Sequence, residues 1–248
     1  VSARAGTLTS AVAAQTRIEI ALTLRRGENV LITLIVPVVL LVFFASLGIV
    51  PESGQAIQFL LPGMLALAII STSMVSLGIA TAYERHYRVL KRLGGTPLPQ
   101  GGLIAAKSIS VLLIELVQVA LLVSISILFY GWRPGPWAAA AIGVLLVGTA
   151  AFTGIGLAMA GSLRAEATLA AANGLYLVFL LLGDIILPVS RLPEPLQAIA
   201  RALPAAALSR SLRAVIGQGT STAGLDLLIL SVWAVVALLT AVRVFRWE

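Results

Sequence analysis

The sequence contains no cysteine, one histidine and few charges. Without cysteine these residues form no disulfide, no thiol nucleophile and no thiolate metal site. The single histidine, His86, has no second histidine with which to share a metal, so a docking-surface role suits it better. No GxxxxGK[ST] loop occurs, and nothing here can cradle nucleotide phosphates in the manner of that motif. Charged residues make up 11% of the chain, against about a quarter in an ordinary soluble domain. No polar stretch is long enough for a soluble domain, and no internal repeat proposes an inverted-repeat carrier.

What fills the space is apolar: 59% of the 248 residues are hydrophobic, and the mean hydropathy is +1.04. Crossing a hydrocarbon layer of ~30 Å takes roughly 20 helical residues. The uncharged runs predict an all-α integral membrane protein with six spans, at about 30–48, 57–82, 104–130, 137–163, 167–187 and 225–245. The last is the weakest, uncharged only from Leu227 to Val242. The first run lacks a small-residue cleavage site and is followed by further spans, so it reads as a retained helix rather than a signal peptide. Pro37 inside it is tolerated, because neighbouring helices can satisfy the carbonyl it frees.

The net charge of +7 is explained by location rather than by nucleic acid. With the N-terminus in the cytoplasm, twelve basic residues fall inside: Arg4, Arg17, Arg25, Arg26, Arg85, Arg88, Lys91, Arg92, Lys107, Arg164, Arg243 and Arg246. Only Arg133, Arg191, Arg201, Arg210 and Arg213 fall outside. Both termini are therefore expected in the cytoplasm, with some attraction of the basic residues to anionic lipid. Arginine outnumbers lysine by 15 to 2, a hint of a GC-rich bacterial genome.

Between the spans the chain reads as one domain, 1–248. Residues 7–28 are too polar to cross, but Leu8, Val12, Ile18 and Leu22 can form one apolar face, which predicts an amphipathic helix on the inner leaflet. The turn Ile49 to Ala56 carries Glu52 and no basic residue. Trp132 and Trp137, flanking GWRPGP, suit the headgroup level. In the long outer connection, Leu196, Ile199, Ala200 and Leu203 follow a helical period after Pro195, as do Leu208, Leu212 and Ile216 after Pro204. Two short helices over 188–216 are expected to dip into the outer leaflet or cap the bundle. Glycines 143, 148, 154, 156 and 161 give the fourth span a surface for close helix contact and place it inside the bundle.

The most charged passage is YERHYRVLKRLGG, Tyr83 to Gly95, between the second and third spans. Tyr87, Leu90 and Leu93 share a face at three-residue spacing, while Arg85, Arg88 and Arg92 spread over the remainder. Gly94 and Gly95 end the helix, and Thr96 before Pro97 can cap the next segment. This predicts a short, rigid, charged helix at the membrane surface, serving either as a positive-inside anchor or as a docking element.

The arrangement ER…LKRL…TPLP…K in that slot resembles the membrane subunit of ABC-2 type transporters, specifically the drug-resistance permeases. Glu84, Arg85, Leu90, Leu93, Thr96, Pro97, Leu98 and Lys107 match. A second match precedes the last span, where Pro188, Leu192, Pro193, Leu196, Leu203, Pro204, Leu212 and Arg213 fall in the register of the family's extracellular re-entrant helices. The resemblance implies that Tyr83 to Pro97, including His86, is a coupling helix and its exit, seating in a separate ATPase subunit. It also implies a second permease copy or paralogue, and ATP with Mg bound by the ATPase rather than by this chain. Nucleotide-driven closure would push on the lever, and an amphipathic drug or lipid-like substrate would leave between two bundles. His86 and Tyr87 depart from the family pattern, which has an acidic residue and a glycine there, and Asp184 stands where a small or apolar residue is usual.

Glu115 lies well inside the third span, with Gln118 one turn away. An ionised carboxylate at mid-membrane costs at least ~2.5 kcal/mol, so it should face protein or water. It is a candidate for the translocation path, or else an interhelical clasp to Ser or Thr of the second span. Asp184 is expected to pair with Arg191 or Arg213. Three readings remain open: an exporter permease (drug, lipid or lipid-linked polysaccharide), a proton-coupled carrier using Glu115, and a structural membrane scaffold.

Overall fold

Backbone N–H and C=O groups cannot be left unpaired in hydrocarbon, and a helix pairs them within one segment. The computed structural model describes residues 8–25, 27–47, 56–95, 98–217 and 223–244, and no strand occurs among them. In chain order the helices are α1 (Leu8–Arg25), α2 (Gly27–Leu47), α3 (Ala56–His86), α4 (Val89–Gly94), α5 (Gln100–Tyr130), α6 (Ala141–Ser162), α7 (Ala165–Leu182), α8 (Glu194–Ala202), α9 (Pro204–Ile216) and α10 (Ala223–Val244). Among the described residues five helical runs are long and apolar enough to cross a membrane: Ala56–His86, Gln100–Tyr130, Ala138–Ser162, Ala165–Leu182 and Gly224–Val244. In α2 the residues whose side chains are described, Thr33–Leu47, are likewise apolar. The expected turn over 49–55, with Glu52, lies outside the described residues, as do Thr96 and Pro97.

Several boundaries differ from those expected. The second predicted span does not end at 82: α3 continues to His86, into the charged passage. The fifth stops at Leu182, short of 187, because the chain turns at Gly183 and at Asp184, whose φ of 56° is left-handed. Trp132, expected at an interface, is buried in the core cluster, while Trp137 is exposed.

The helix α3 forms the centre. From Phe59 to Ile70 it is apolar on all sides, and such a helix belongs in the interior. It packs against α2, α5, α6 and α9. Midway the hydrogen-bonding widens to a π-helix over Ile70–Ser76, where the Ser71 and Ser73 hydroxyls donate to the carbonyls of Ala68 and Ile69.

The expected small-residue surface of α6 works on two sides. A Cβ at Gly154 would stand 2.7 Å from the backbone of Ala237 and Leu238 in α10, and one at Gly156 would stand 2.7 Å from the Met74 carbonyl oxygen in the π segment. Gly78 meets Gly156 in return, 3.0 Å from its oxygen. Gly143 faces open space and takes no part.

α1 is a helix as expected, and it turns a polar stripe into the bundle. Its buried residues are Gln15, Thr16 and Glu19, and Leu8, Ile18, Leu22 and Leu24 are exposed beside that polar stripe. The reason is ionic: Glu19 reaches a buried lysine on α5.

At the opposite end of the bundle, α9 turns Leu208, Leu212 and Ile216 inward, and Leu208 fills the place a side chain at Gly148 would take. α8 lies outside it, with Ala200 buried and Ile199 and Leu196 exposed. Pro193 and Pro204 stand where each helix begins, at positions that need no intrahelical N–H. Pro188 precedes the turn Val189–Arg191.

Replacing Gly156 by valine is expected to destabilise the bundle by about 1–3 kcal/mol, the usual cost of overpacking. Gly143→Val should be near neutral. Thermal unfolding of the two variants in the same detergent, followed by size-exclusion chromatography, makes the comparison.

Candidate functional site

The charged passage is an elbow, and the expected single rigid helix does not form. α3 ends at His86; Tyr87 and Arg88 make a turn in which the Arg88 N–H donates to the Arg85 carbonyl at 3.0 Å, and α4 starts at Val89. Arg88 has φ 59° and ψ 21°, a left-handed conformation that costs a non-glycine residue roughly 1–2 kcal/mol. The break is set by Leu90, which is fully buried in a cluster with Leu77, Leu98, Leu103 and Leu157. Tyr87, expected on the same face as Leu90 and Leu93, is instead 66% exposed, stacked on Tyr83 and edge-on to His86. Leu93 is partly buried against the Leu90 cluster.

Glu84 and Arg85 point inward. The Arg85 guanidinium donates to the carbonyls of Gly161 and Leu163, at the turn between α6 and α7. Glu84 Oε2 lies 2.7 Å from Lys107 Nζ, which is itself wholly buried and also meets Glu19 at 3.0 Å. Buried charges persist only when paired, and this one is paired twice. Exposed at the elbow are His86, Tyr87, Arg88, Val89, Lys91, Arg92, Gly94 and Gly95.

Two clefts flank the elbow. One, of about 690 Å³, runs between α1, α2, the π segment, α5 and α7; Tyr83, Glu84 and Lys107 lie at one part of it and Ser71, Thr72 and Tyr176 at others. The second, of about 680 Å³, is basic, bounded by Arg85, His86, Arg88, Lys91 and Arg164, with Glu166 as its acidic member.

Glu115 and Gln118 are both buried, and they clasp different helices. The Thr149 hydroxyl of α6 donates to Glu115 Oε2 at 2.5 Å, so the clasp expected to the second span goes to the fourth instead. Glu115 Oε1 has no hydrogen-bond partner among the described residues. Gln118 makes the contact to the second span: its Oε1 accepts from Thr72 at 2.9 Å, and its Nε2 donates to the Thr33 carbonyl of α2 at 3.0 Å. The π segment presents Thr72 to it.

At the far end Arg213, not Arg191, is the partner of Asp184. Its guanidinium donates to Asp184 Oδ2 at 2.5 Å and to the Asp184 carbonyl at 2.8 Å, and lies 3.9 Å above the Phe59 ring. Asp184 Oδ1 accepts from the Val189 N–H. Arg210 binds Asp226 of α10 and the Arg201 carbonyl. Sequence reasoning misses the roles of Glu19 and Thr149. A lone carboxylate on the otherwise basic α1 is the available signal for the first; Thr149 has none.

Arg85→Ala removes two charge-assisted bonds, each worth about 1.5–3 kcal/mol. It is expected to free the elbow from the α6–α7 turn with the bundle intact, read as faster proteolysis within 83–95 at unchanged helix content. Asp184→Asn should lower the thermal midpoint without altering proteolysis at the elbow.

The profile of the ABC-2 type transporter family matches residues 11–216, from α1 through the elbow to the end of α9 and short of α10. No curated protein matches the chain. The matched region covers most of the sequence and includes the elbow, α8 and α9: the chain belongs to the ABC-2 type transporter family, as a membrane transport component.

Proposed function

We propose that this chain is the permease subunit of an ATP-driven exporter in a bacterial cytoplasmic membrane, and that its elbow, 83–95, receives the stroke of a separate ABC ATPase. ATP and Mg belong to that partner. The observation that carries the reading is the division of labour at the elbow: Glu84, Arg85 and Leu90 fasten it to α5, to the α6–α7 turn and to the core, while Tyr87, Arg88 and Arg92 face outward. A transmitting element needs both properties, a firm grip on the spans and a free surface for the motor.

In this reading α2 is the sixth span, α1 lies along the inner leaflet, and both termini are cytoplasmic. α8 and α9 are re-entrant from outside, held by Asp184 and Arg213. A second copy or a paralogous permease completes the pathway. The cleft of about 690 Å³ is its part within one chain, and its mixture of apolar walls with Ser71, Thr72 and tyrosines suits an amphipathic drug or lipid-like substrate. The resemblance to drug-resistance permeases supports the same class of cargo.

One observation favours a second reading. Glu115 Oε1 is buried without a hydrogen-bond partner among the described residues, as a proton-carrying site in a secondary carrier could be.

Co-purification with a candidate ATPase subunit separates these. Tyr87→Ala with Arg92→Ala is expected to abolish retention of the ATPase while the bundle stays folded. Undiminished retention would remove the elbow from the interface. Transport that persists without ATP, collapses with the proton gradient and is lost in Glu115→Gln would replace the exporter by the carrier.

A further inference from the structure

Lys107 offers three N–H donors, and three carboxylate oxygens surround it: Glu84 Oε2 at 2.7 Å, Glu19 Oε1 at 3.0 Å and Glu19 Oε2 at 3.1 Å. The side chains of Lys107, Glu19 and Glu84 are 1%, 9% and 11% exposed, so little water screens them. Two negative charges therefore share one positive charge at close range. Each weakens the hold of the other, because the carboxylates repel and the ammonium cannot point fully at both.

The two carboxylates belong to different elements. Glu84 is on the last turn of α3, at the elbow. Glu19 is on α1, oriented by Gln15, whose Nε2 donates to Glu19 Oε1 at 2.9 Å, and α1 leaves Ile18, Leu22 and Leu24 exposed. The function proposed above uses the elbow as a lever and assigns α1 nothing beyond a place on the surface.

We propose that Glu19 is a positioning residue for the elbow: acting through Lys107, it competes with Glu84 for the single ammonium, so that the seating of α1 sets how tightly the elbow is held. With α1 seated, Lys107 is divided and Glu84 is held less firmly. With α1 displaced, Lys107 and Glu84 close into a neutral pair and the elbow stiffens. The transporting role of the elbow rests on the reading above; the electrostatic competition does not.

A buttress would behave in the opposite way, since removing a support loosens what it supports. The sign of the effect thus decides. Because the 248 residues contain no cysteine, Arg92→Cys on the exposed side of α4 carries a single spin label in the isolated chain, reconstituted in nanodiscs of phosphatidylethanolamine and phosphatidylglycerol. Glu19→Gln is expected to shift the label spectrum toward the immobile component, and Glu84→Gln toward the mobile one. Exchanging the charges, Lys107→Glu with Glu84→Lys, moves the ammonium onto the elbow, where both carboxylates now attract it. Glu19→Gln in that background should therefore loosen the elbow, reversing its sign.

An unchanged or more mobile label in the single variant Glu19→Gln overturns the proposal, as does the absence of a reversal in the exchanged background. If the exchanged chain fails to fold, Glu19→Asp replaces it: a shorter carboxylate should leave the label between the native and Glu19→Gln spectra, and a spectrum outside that interval counts against the competition. No ATPase is present in these measurements. Failure of the exporter reading would appear in co-purification and leave the label spectra untouched.

Discussion

Lys107 carries its charge where water hardly reaches, and the architecture of the basic end depends on that constraint. Removing one partner of a buried pair typically costs about 3–5 kcal/mol, a large part of the net stability of a domain. Glu84 is therefore turned inward, although its position in a charged surface passage makes it look like a docking residue. α1, whose Ile18, Leu22 and Leu24 stay exposed, is seated through Glu19 for the same reason. α4, at six residues, is far below the roughly 12–15 at which an isolated helix becomes even marginal. Its shape depends on Leu90, Arg85 and Glu84 rather than on its own propensity.

The middle of the bundle is governed by close backbone approach. Gly78 and Gly156 bring α3 and α6 into direct contact at the π segment, and Gly154 does the same for α6 and α10. In lipid, where burying another apolar side chain gains little, such fit and interhelical hydrogen bonds hold helices together. The π widening also turns Thr72 toward Gln118, which reaches on to α2. A polar contact and a packing contact thus coincide on one irregular stretch of α3.

The far end uses a third arrangement. Asp184 adopts a left-handed turn that ends α7, and its carboxylate and carbonyl both accept from Arg213 on α9. One residue so terminates α7 and fastens α9. The elbow at one end and α9 at the other are each joined to the same central helix, α3, through its last turn and through Phe59.

The sequence by itself determined what depends on local pattern. Apolar runs, prolines at helix starts and glycines at helix ends marked most of the helices, the elbow's position and the two outer helices, because hydrogen bonding within a segment and the absence of charge are local properties. It also marked Arg213 as one of two partners for Asp184. Only the tertiary structure decided which way charged side chains turn. Glu84 and Glu19 are 65 positions apart, and nothing in either neighbourhood shows that both face Lys107. The same holds for Glu115, whose partner is Thr149 on a different helix from the one expected, and for the break at Arg88, which local helix propensity does not contain. Those outcomes depend on how helices pack, and the strength of a buried ion pair is set by that packing rather than by the residues beside it in the chain.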